Sequence, residues 1–497
     1  MAKTLMIQGT CSDAGKSILT AAFCRIYTRR GYKVAPFKSQ NMALNSFVTP
    51  DGKEIGRAQA VQAQAACRDP HIDMNPVLLK PEGNSRSQVI LMGRPWKTLK
   101  ASDYYKAKPQ LWHEVTAAMD RLMAENDIVI AEGAGSPAEI NLKENEIVNM
   151  AVARYLEAPV LLTGDIDRGG VFASLYGTLE LVDEDRDRIA GFLINKFRGD
   201  VNLLTPGLRM LEDRCGGVPV LGVIPMIPDI YLAQEDSVFI DKNRSFGDSR
   251  GMPLVVIKLP HMSNYDDFDP FQREKGINLL FVSSPAEIPA NTAAIFLPGT
   301  KTTIQDLKWL KESGMSTRIR ELSDRGVPVV GICGGYQMMG QRIIDNESVE
   351  AGGGSIDALN LLPLETEFST EKTTVQSRGQ LLGGPGFFRN IEGQECRGYE
   401  IHMGRTVLKD DCRELYSRED GSCDGAVSLN GKIWGSYMHG IFDNLTLRRG
   451  FLISLGWEPE EPGESEEILR EKEFERLADA VEAAVDMDAL DKLIGLS

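Results

Sequence analysis

Short, almost uninterrupted apolar runs alternate with longer helical patterns through the first half of the chain, and this alternation limits the fold more than any other feature. A strand that is buried on both faces of a sheet reads as a continuous apolar run. The helical stretches between the runs suit the crossovers that connect parallel strands. We therefore expect a parallel sheet covered by helices on both faces. The predicted strands are residues 4–8, 34–38, 127–132, 159–163, 189–196 and 218–225.

A second series of the same kind predicts a second α/β domain. Residues 226–250 are polar and show no clear periodicity, so we interpret them as an interdomain connection. The fold class is α/β, with tandem domains over residues 1–225 and 251–445. An acidic extension over residues 446–497 follows, and we expect its last, amphipathic helix to cap the second domain. The predicted strands of the second domain are residues 253–260, 278–282, 293–299 and 327–333, followed by irregular, β-like sequence up to residue 442.

Composition narrows the classes of partner. A chain of 497 residues is too long for one hydrophobic core, which favours the two-domain interpretation. The formal net charge of −16 argues against nucleic acid as the main partner. No apolar run approaches the roughly 20 residues that span a bilayer, and no signal-peptide pattern is present, so we expect no membrane partner and a cytoplasmic location. The eight cysteines form no CxxC pair, which argues against a zinc ribbon or a dense disulfide framework.

The segment GTCSDAGKS, residues 9–17, has the context of a phosphate loop because it follows a predicted strand and precedes a helical stretch. In such a loop, backbone N–H groups and the helix N-terminus face the phosphates, a lysine contacts the outer phosphates and a hydroxyl reaches Mg²⁺. The first glycine stands one residue further from the GKS triplet than in the standard spacing. The segment predicts a nucleotide site. Its nucleotide-binding residues are Gly9, Thr10, Ser12, Asp13, Ala14, Gly15, Lys16 and Ser17, and Ser17 is also a candidate Mg²⁺ ligand.

Further polar residues follow two of the predicted strands. Lys38, Gln40 and Asn41 come just past the end of the second strand, where open parallel sheets bind their ligands. We assign Lys38 to the nucleotide, and Gln40 and Asn41 to the substrate. Glu132 ends another strand within the glycine-containing segment AEGAGSP.

The lengthened phosphate loop resembles that of dethiobiotin synthetase and its relatives. This resemblance implies that Glu132 and Glu54 are Mg²⁺ ligands together with Ser17. A hydroxyl, one or two carboxylates and phosphate oxygens suit the octahedral oxygen coordination that Mg²⁺ prefers.

The same resemblance assigns the ends of two later strands. It implies that Asn195 and Lys196 lie near the nucleotide base, and that Asp165 and Arg168 lie near the substrate. Enzymes of this kind transfer the γ-phosphoryl group of ATP to a carboxylate, and a nitrogen nucleophile then attacks the acyl phosphate. The reaction requires charge neutralisation and in-line positioning, which Lys16, Lys38 and Mg²⁺ would supply.

The stretch VPVVGICGGYQMMG, residues 327–340, places Cys333 among glycines directly after an apolar run. A buried cysteine that only packs is the ordinary alternative. However, G-I-C-G-G fits the nucleophile elbow, in which a strand ends, the nucleophile occupies a strained turn and a helix begins. We expect the N–H of Gly334 to face an oxyanion, with a second donor from the segment PGTKTT, residues 298–303, at Gly299.

A nucleophilic cysteine requires a base, and the chain has five histidines. His439 follows a strand-like segment about a hundred residues downstream of Cys333, an arrangement that resembles the class I glutamine amidotransferases. This resemblance implies a flavodoxin-like fold and attack of the cysteine on the side-chain amide of glutamine. Most members carry a carboxylate two residues after the histidine, but Ile441 occupies that position here. Asp443 and Glu400 are the nearest candidates for a carboxylate that orients His439.

The two halves together resemble the cobyric acid synthase family, whose members join a dethiobiotin-synthetase-like ATPase domain to such an amidotransferase domain and lack that carboxylate. The strings QNMALNS, EIGRAQAVQAQA, AEGAGSPAEINL, GDIDRGGVFAS and RGYEIHMGRT carry the resemblance over about residues 1–445. It implies amidation of the b, d, e and g carboxylates of adenosylcobyrinic acid a,c-diamide, with glutamine and a corrinoid as small-molecule partners and ATP and Mg²⁺ as cofactors. Without the resemblance, the motifs predict only that the chain amidates a carboxylate with ATP and glutamine.

Other functions stay open at this point. A cobyrinic acid a,c-diamide synthase has the same two domains and acts on other carboxylates, whereas the peptidoglycan-amidating ligases usually divide the two activities between chains. A ParA-like ATPase switch would dimerise with ATP or attach to DNA, and would not need Cys333. The segment with Glu400 and His402 could form only an edge-strand pair around a turn. The alternative hypothesis is that these two residues contact the substrate or hold the domain interface. The sequence leaves the oligomeric state open.

Overall fold

The computed structural model describes residues 2–83, 86–232, 244–350, 353–409 and 411–496. The chain divides into two compact units. The first unit comprises Met1–Ala43, Ile55–Glu235 and Arg470–Ser497, and the second comprises Leu44–Glu54 and Asp236–Leu469. Compared with the boundaries expected from the sequence, residues 44–54 belong to the second unit and residues 470–497 to the first. Within the described residues, no helix is both long and apolar enough to cross a membrane.

The six strands predicted for the first domain all form. They make one parallel sheet in the order β12-β11-β10-β1-β9-β2, and β9 and β10 are buried at every position, as continuous apolar runs require. A four-stranded sheet, β3-β6-β7-β8, was not predicted. The strands that precede residue 226 are β1 (Lys3–Gly9), β2 (Val34–Phe37), β3 (Gln40–Met42), β4 (Ser46–Val48), β5 (Glu54–Gly56), β6 (Val77–Gly83), β7 (Arg86–Leu91), β8 (Arg94–Lys100), β9 (Ile128–Glu132), β10 (Val160–Asp165), β11 (Ile189–Phe197) and β12 (Val220–Pro225).

Helices connect the parallel strands of the first unit, as the alternation predicts. The first of them begins at Lys16, directly after Gly15 adopts a left-handed conformation with φ of 99°. These helices are α1 (Lys16–Arg29), α2 (Arg57–Ala65), α3 (Ala101–Glu125), α4 (Met150–Tyr155), α5 (Val171–Leu181) and α6 (Val201–Arg214).

The described residues of the second unit after residue 244 form one sheet of 12 strands, whose core is parallel, whereas β4 pairs with β5 in a separate two-stranded sheet. The core strands run in the order β15-β14-β16-β17-β24, which is the 2-1-3-4-5 order of flavodoxin-like folds. The α/β class with a parallel-sheet domain followed by a flavodoxin-like domain is therefore confirmed. The strands are β13 (Ser245–Gly247), β14 (Met252–Ile257), β15 (Ile277–Val282), β16 (Ala294–Leu297), β17 (Val329–Ile332), β18 (Arg342–Asp345), β19 (Gly354–Asp357), β20 (Leu364–Leu381), β21 (Glu395–Leu408), β22 (Cys412–Arg418), β23 (Cys423–Ser428) and β24 (Ile433–Ser436).

The interdomain connection predicted at residues 226–250 lies partly outside the described residues, which omit 233–243. Its last part includes β13, which pairs antiparallel with β15 of the second unit. The remaining helices of the chain are α7 (Asp269–Gln272), α8 (Thr303–Glu312), α9 (Met315–Asp324), α10 (Gly334–Met338), α11 (Leu445–Ser454), α12 (Glu466–Ala484) and α13 (Met487–Ile494).

The prediction that the last helix caps the second domain is wrong, because the end of the chain packs on the first unit. Phe474 of α12 and Leu490 of α13 are fully buried in the core that also contains Phe23 and Tyr27 of α1. Acidic residues on the same segment meet basic residues of α1, and the Tyr27 hydroxyl donates to Asp491 over 2.9 Å. An amphipathic pattern predicts a buried face, but it does not identify the core that buries it.

Candidate active sites

The phosphate loop forms where the sequence predicts it. β1 ends at Gly9, a short 3-10 turn covers Ser12–Ala14, and α1 begins at Lys16. Gly15 stands at the N-cap of α1 and offers no side chain to the first N–H groups of the helix. Such an uncapped N-terminus, with its positive dipole end, suits a phosphate group.

Asn195 lies on the phosphate loop itself. Its Nδ2 donates to the carbonyl of Ala14 over 2.9 Å, and a Cβ built on Gly15 would lie only 2.1 Å from this nitrogen. Only glycine leaves room for Asn195 at this point. The neighbouring Lys196, at φ of 63°, donates to the carbonyl of Asp13 over 2.7 Å and pairs with Asp165 over 2.8 Å. The end of β11 therefore braces the loop backbone.

Lys16 is buried, and its side chain lies against the phosphate loop. Its Nζ donates to the carbonyl oxygens of Cys11, at 2.9 Å, Ser12, at 3.2 Å, and Gly135, at 3.0 Å. A cation held at the loop is what the outer phosphates of a nucleotide require.

Glu132, at the end of β9, accepts hydrogen bonds from two of the predicted residues and from a third that was not predicted. Its Oε1 accepts from Ser17 Oγ over 2.7 Å and from Lys38 Nζ over 3.0 Å, and its Oε2 accepts from Gln62 Nε2 over 2.6 Å. Burial raises the pKa of Glu132, but Lys38 and the hydrogen bonds from Ser17 and Gln62 outweigh it, so the pKa lies below its ordinary value. Glu132 is thus an anion beside a hydroxyl.

These oxygens fit a magnesium ion. Ser17 Oγ and the Glu132 carboxylate are hard donors in contact at the N-terminus of α1, and Mg²⁺ characteristically takes one or two such protein ligands and completes its shell with phosphate and water. Within the described ranges, no three His, Cys, Asp or Glu side chains converge as a metal site. Gln62, which donates to Glu132, was not predicted from the sequence because α2 carries three glutamines in similar local surroundings.

The third predicted magnesium ligand, Glu54, belongs to the second unit. There it is buried, accepts a hydrogen bond from Ser46 Oγ over 2.9 Å and forms an ion pair with Lys372. Its role as a ligand stays a prediction from the resemblance.

The predicted substrate residues of the first unit have different settings. Gln40 accepts a hydrogen bond from the Tyr104 hydroxyl, and Asn41 is fully buried and donates to Gln59 over 2.8 Å. Asp165 ends β10 and is also buried. Arg168 is half-exposed and pairs with Asp13 of the phosphate loop. The structure therefore brings Arg168 to the nucleotide loop, whereas Asn41 is hydrogen-bonded to Gln59 in the interior.

Cys333 occupies the predicted elbow. β17 ends just before it, α10 begins just after it, and its backbone has φ of 51° and ψ of −111°. A non-glycine residue rarely adopts this region, and such strain is concentrated at functional sites. The N–H of Cys333 donates to the carbonyl of Ser436 at the end of β24 over 2.8 Å, which anchors the turn to the neighbouring strand.

Close packing surrounds this turn. A Cβ on Gly334 would lie 2.7 Å from Thr300 Cγ2 and 3.2 Å from the Thr300 nitrogen, so the loop after β16 lies against the start of α10. A Cβ on Gly299 would lie 3.0 Å from His439 Cε1. Gly299 and Gly334, the predicted oxyanion residues, therefore flank the elbow and the histidine. Their role as donors stays a prediction.

His439 is buried and pairs with an aspartate that the sequence analysis missed. Its Nδ1 lies 2.8 Å from Asp267 Oδ2, and the N–H of Gly440 donates to Asp267 Oδ1 over 2.7 Å. Burial lowers the pKa of His439, but Asp267 and then Cys333, by charge and hydrogen bonding, raise it to about 10. The three side chains make a Cys–His–Asp arrangement in which the aspartate holds the imidazole.

The expectation that Asp443 or Glu400 orients His439 is therefore wrong. Glu400 lies in β21, where the Arg418 guanidinium and the Tyr416 hydroxyl bind its carboxylate. Burial raises the pKa of Glu400, but hydrogen bonding from His402 and the charge of Arg418 lower it to about 2. A sequence signal existed, since the acidic string NYDDFDP follows the first strand of this domain, where catalytic groups of parallel sheets collect.

Comparisons with known proteins identify a domain family in each half of the chain. Residues 5–238 match the CobQ/CobB/MinD/ParA nucleotide binding domain, and residues 253–446 match the CobB/CobQ-like glutamine amidotransferase domain. The cobyric acid synthase of Dehalococcoides mccartyi (strain CBDB1) is 48% identical over 99% of this chain and 98% of its own length. The chain belongs to the cobyric acid synthase family.

Further cobyric acid synthases support this membership at full length. That of Sorangium cellulosum (strain So ce56) is 48% identical over 100% of this chain and 99% of its own length. That of Moorella thermoacetica (strain ATCC 39073 / JCM 9320) is 49% identical over 100% of this chain and 98% of its own length. The family identified from the sequence is thus confirmed, and with it the assignment to glutamine-dependent, ATP-using amidoligases of cobalamin biosynthesis.

Proposed function

We propose that the chain amidates the b, d, e and g carboxylates of adenosylcobyrinic acid a,c-diamide to give cobyric acid, with ATP and glutamine as co-substrates. The contact of His439 with Asp267 and Cys333 carries this proposal, because it equips the chain to release ammonia from glutamine. Membership of the cobyric acid synthase family supports the choice of a corrinoid substrate.

Glutamine hydrolysis follows from the groups at the elbow. The Cys333 thiolate attacks the side-chain amide carbon, and protonated His439 donates its proton to the departing ammonia, which leaves a γ-glutamyl thioester. Neutral His439 then takes a proton from water, which cleaves the thioester and regenerates the thiolate. Asp267 keeps the imidazole in one orientation through both steps. The N–H of Gly334 and one from residues 298–303 would stabilise the oxyanion.

Amidation requires that a carboxylate first become an acyl phosphate. In the first unit, Lys16 and Lys38 neutralise charge on the transferring phosphoryl group, and the loop N–H groups orient the nucleotide. Ser17 and Glu132 would hold Mg²⁺, and the bound ion would offset the negative charge of the phosphates. Ammonia then attacks the acyl carbon and releases phosphate.

Substrate recognition is assigned to residues around the same loop. The half-exposed Arg168, paired with Asp13, is suited to a corrin carboxylate, and Lys196 and Arg198 offer further positive charge. Gln40, Asn41 and Asp165 complete the proposed substrate set. Asn195 is proposed to act on the nucleotide through the loop it contacts.

Mass spectrometry of the reaction product tests the proposal. Incubation of the corrinoid a,c-diamide with ATP, Mg²⁺ and glutamine should give four successive mass decreases, each that of replacing a hydroxyl by an amino group. The Cys333→Ala variant should complete the same series with ammonium salts but not with glutamine. Amidation of cobyrinic acid in place of its a,c-diamide would indicate an a,c-diamide synthase. ATP hydrolysis with no change of either corrinoid would contradict the proposal and favour an ATPase switch.

A further inference from the structure

Residues 44–54 lie in the same compact unit as Cys333 and His439, although almost the whole first domain separates them in the chain. The buried residues Asn45 and Ser46 both contact Asn264. Asn45 Oδ1 accepts from the Asn264 N–H over 2.8 Å, and the Ser46 carbonyl accepts from Asn264 Nδ2 over 2.9 Å. The N–H of Ser46 donates to Asn264 Oδ1 over 3.3 Å. The segment therefore forms hydrogen bonds with both the backbone and the side chain of Asn264.

Asn264 controls the turn that presents Asp267. It adopts a left-handed conformation with φ of 51° and ψ of 44° directly before the 3-10 turn Tyr265–Phe268. Its carbonyl accepts from the Asp267 N–H over 3.1 Å. Asparagine tolerates this conformation better than most residues, but the conformation still has to be held by its surroundings. The three hydrogen bonds with Asn45 and Ser46 stabilise this left-handed conformation of Asn264.

A second connection runs through Tyr399 to His439. The Tyr399 ring stacks on the imidazole with centroids 5.4 Å apart, and the two backbones exchange hydrogen bonds of 2.8 Å and 3.1 Å. The Tyr399 hydroxyl accepts from Asn264 Nδ2 over 2.9 Å. Phe47 packs edge-on against the same ring, at 4.7 Å between centroids. Residues 45–47 thus touch the neighbours of both members of the His439–Asp267 pair.

We propose that Asn45, Ser46 and Phe47 form a positioning segment of the glutaminase site. They hold Asn264 and Tyr399, and these two residues hold Asp267 and His439 in register with Cys333. The segment lies outside residues 253–446, which match the amidotransferase domain. The inference rests on the proposed glutamine hydrolysis but not on the identity of the amidated substrate.

Steady-state kinetics of the full-length chain test the segment. Asn45→Ala should lower kcat for glutamine hydrolysis about tenfold while KM for glutamine changes little, because the pair that transfers the proton is misplaced while the glutamine contacts persist. Asn45→Asp keeps an oxygen that accepts from the Asn264 N–H and should restore most of the rate. Tyr399→Phe, which deletes only the hydroxyl, should lower kcat several-fold. The exposed residue Asn346 provides a matched control, and Asn346→Ala should behave as wild type.

Ammonia-dependent amidation separates this role from a general loss of structure. It should be unchanged in Asn45→Ala, since the phosphate loop is untouched. Wild-type kcat for glutamine hydrolysis in both Asn45→Ala and Tyr399→Phe would overturn the inference, as would loss of the ammonia-dependent reaction to the same extent. Absence of glutamine hydrolysis by the wild-type chain would overturn the proposed function, and this inference with it.

Discussion

Asp267 and His439 lie 172 residues apart in the chain, and their side chains meet at 2.8 Å between Oδ2 and Nδ1. Most class I glutamine amidotransferases instead have a carboxylate two residues after the histidine. In this chain that position is Ile441, which is fully buried. The carboxylate that contacts the histidine comes here from the turn after β14.

Replacement of Asp267 should abolish most glutamine hydrolysis. Asp267→Asn removes the charge that stabilises protonated His439 and favours the wrong tautomer, so we expect kcat to fall by about 10²–10⁴-fold. Amidation with ammonium salts should persist. Asp443→Asn is the matched control, because Asp443 is the carboxylate that the local sequence favours. Equal losses in the two variants would contradict the assignment of Asp267, and ammonia release from glutamine measures both.

The pH dependence of glutamine hydrolysis should reflect the raised pKa of His439. Because this pKa is about 10, the imidazole keeps its proton through neutral pH and loses it only as the pH rises through that value. The rate should therefore decline only in this alkaline range. In Asp267→Asn the main charge that raises the pKa is gone and burial remains, so the decline should move to lower pH. A pH–rate profile that is identical in the two proteins would contradict this account.

Glu132→Gln should abolish amidation but not glutamine hydrolysis, which is the reverse of the effect expected for Asp267→Asn. The change removes the anion that pairs with Lys38 and accepts from Ser17, so Mg²⁺-dependent nucleotide binding should weaken and amidation should be lost with either nitrogen source. Glutamine hydrolysis should continue. Titration of nucleotide binding with Mg²⁺ provides a readout independent of turnover. Glu54→Gln tests the second predicted ligand in the same assay, and wild-type amidation by Glu132→Gln would contradict the magnesium site.

Gly299→Ala should impair the glutaminase site by crowding. The added Cβ would lie 3.0 Å from His439 Cε1, which is tighter than ordinary contact, so the imidazole must move. We expect about a tenfold loss of kcat for glutamine hydrolysis. Gly177→Ala, at a position in α5 with no atom within 4 Å of the new Cβ, is the control and should leave the rate unchanged. A normal rate in Gly299→Ala would contradict the packing argument.

The last helix should stabilise the nucleotide-binding unit. Leu490 is fully buried in its core, so Leu490→Ala should lower the free energy of unfolding by about 2–5 kcal/mol. Leu493, on the exposed side of α13, is the control, and Leu493→Ala should change that free energy by less than about 0.5 kcal/mol. Urea unfolding of the full chain can identify the relevant transition as the one whose midpoint ATP raises. Equal effects of the two changes would contradict this docking.

Features with local causes were predictable from the sequence. All the strands predicted for the two parallel sheets form, because a strand buried on both faces must be apolar along its whole length. The phosphate loop and the elbow also depend on local conformation, namely the left-handed Gly15 and the strained Cys333. The four-stranded sheet β3-β6-β7-β8 was not predicted because its outer strand, β8, has no buried position and its sequence is mostly polar.

Partners at long range were not predictable. The string NYDDFDP contains three aspartates with nearly the same local surroundings, and only the turn after Asn264 selects Asp267 for His439. Asn45 likewise carries no local sign that it belongs with Asn264.

By itself, the sequence determined the α/β class, the phosphate loop at Lys16, the elbow at Cys333 and the candidate base His439, because each is marked by a local pattern of residues. Only the tertiary structure decided that Asp267 pairs with His439, that residues 44–54 belong to the second unit, and that the acidic C-terminal segment packs on the first unit. These outcomes depend on contacts between segments far apart in the chain. A pattern of charge or apolar residues shows that a side chain needs a partner, but the folded backbone determines which partner comes within reach.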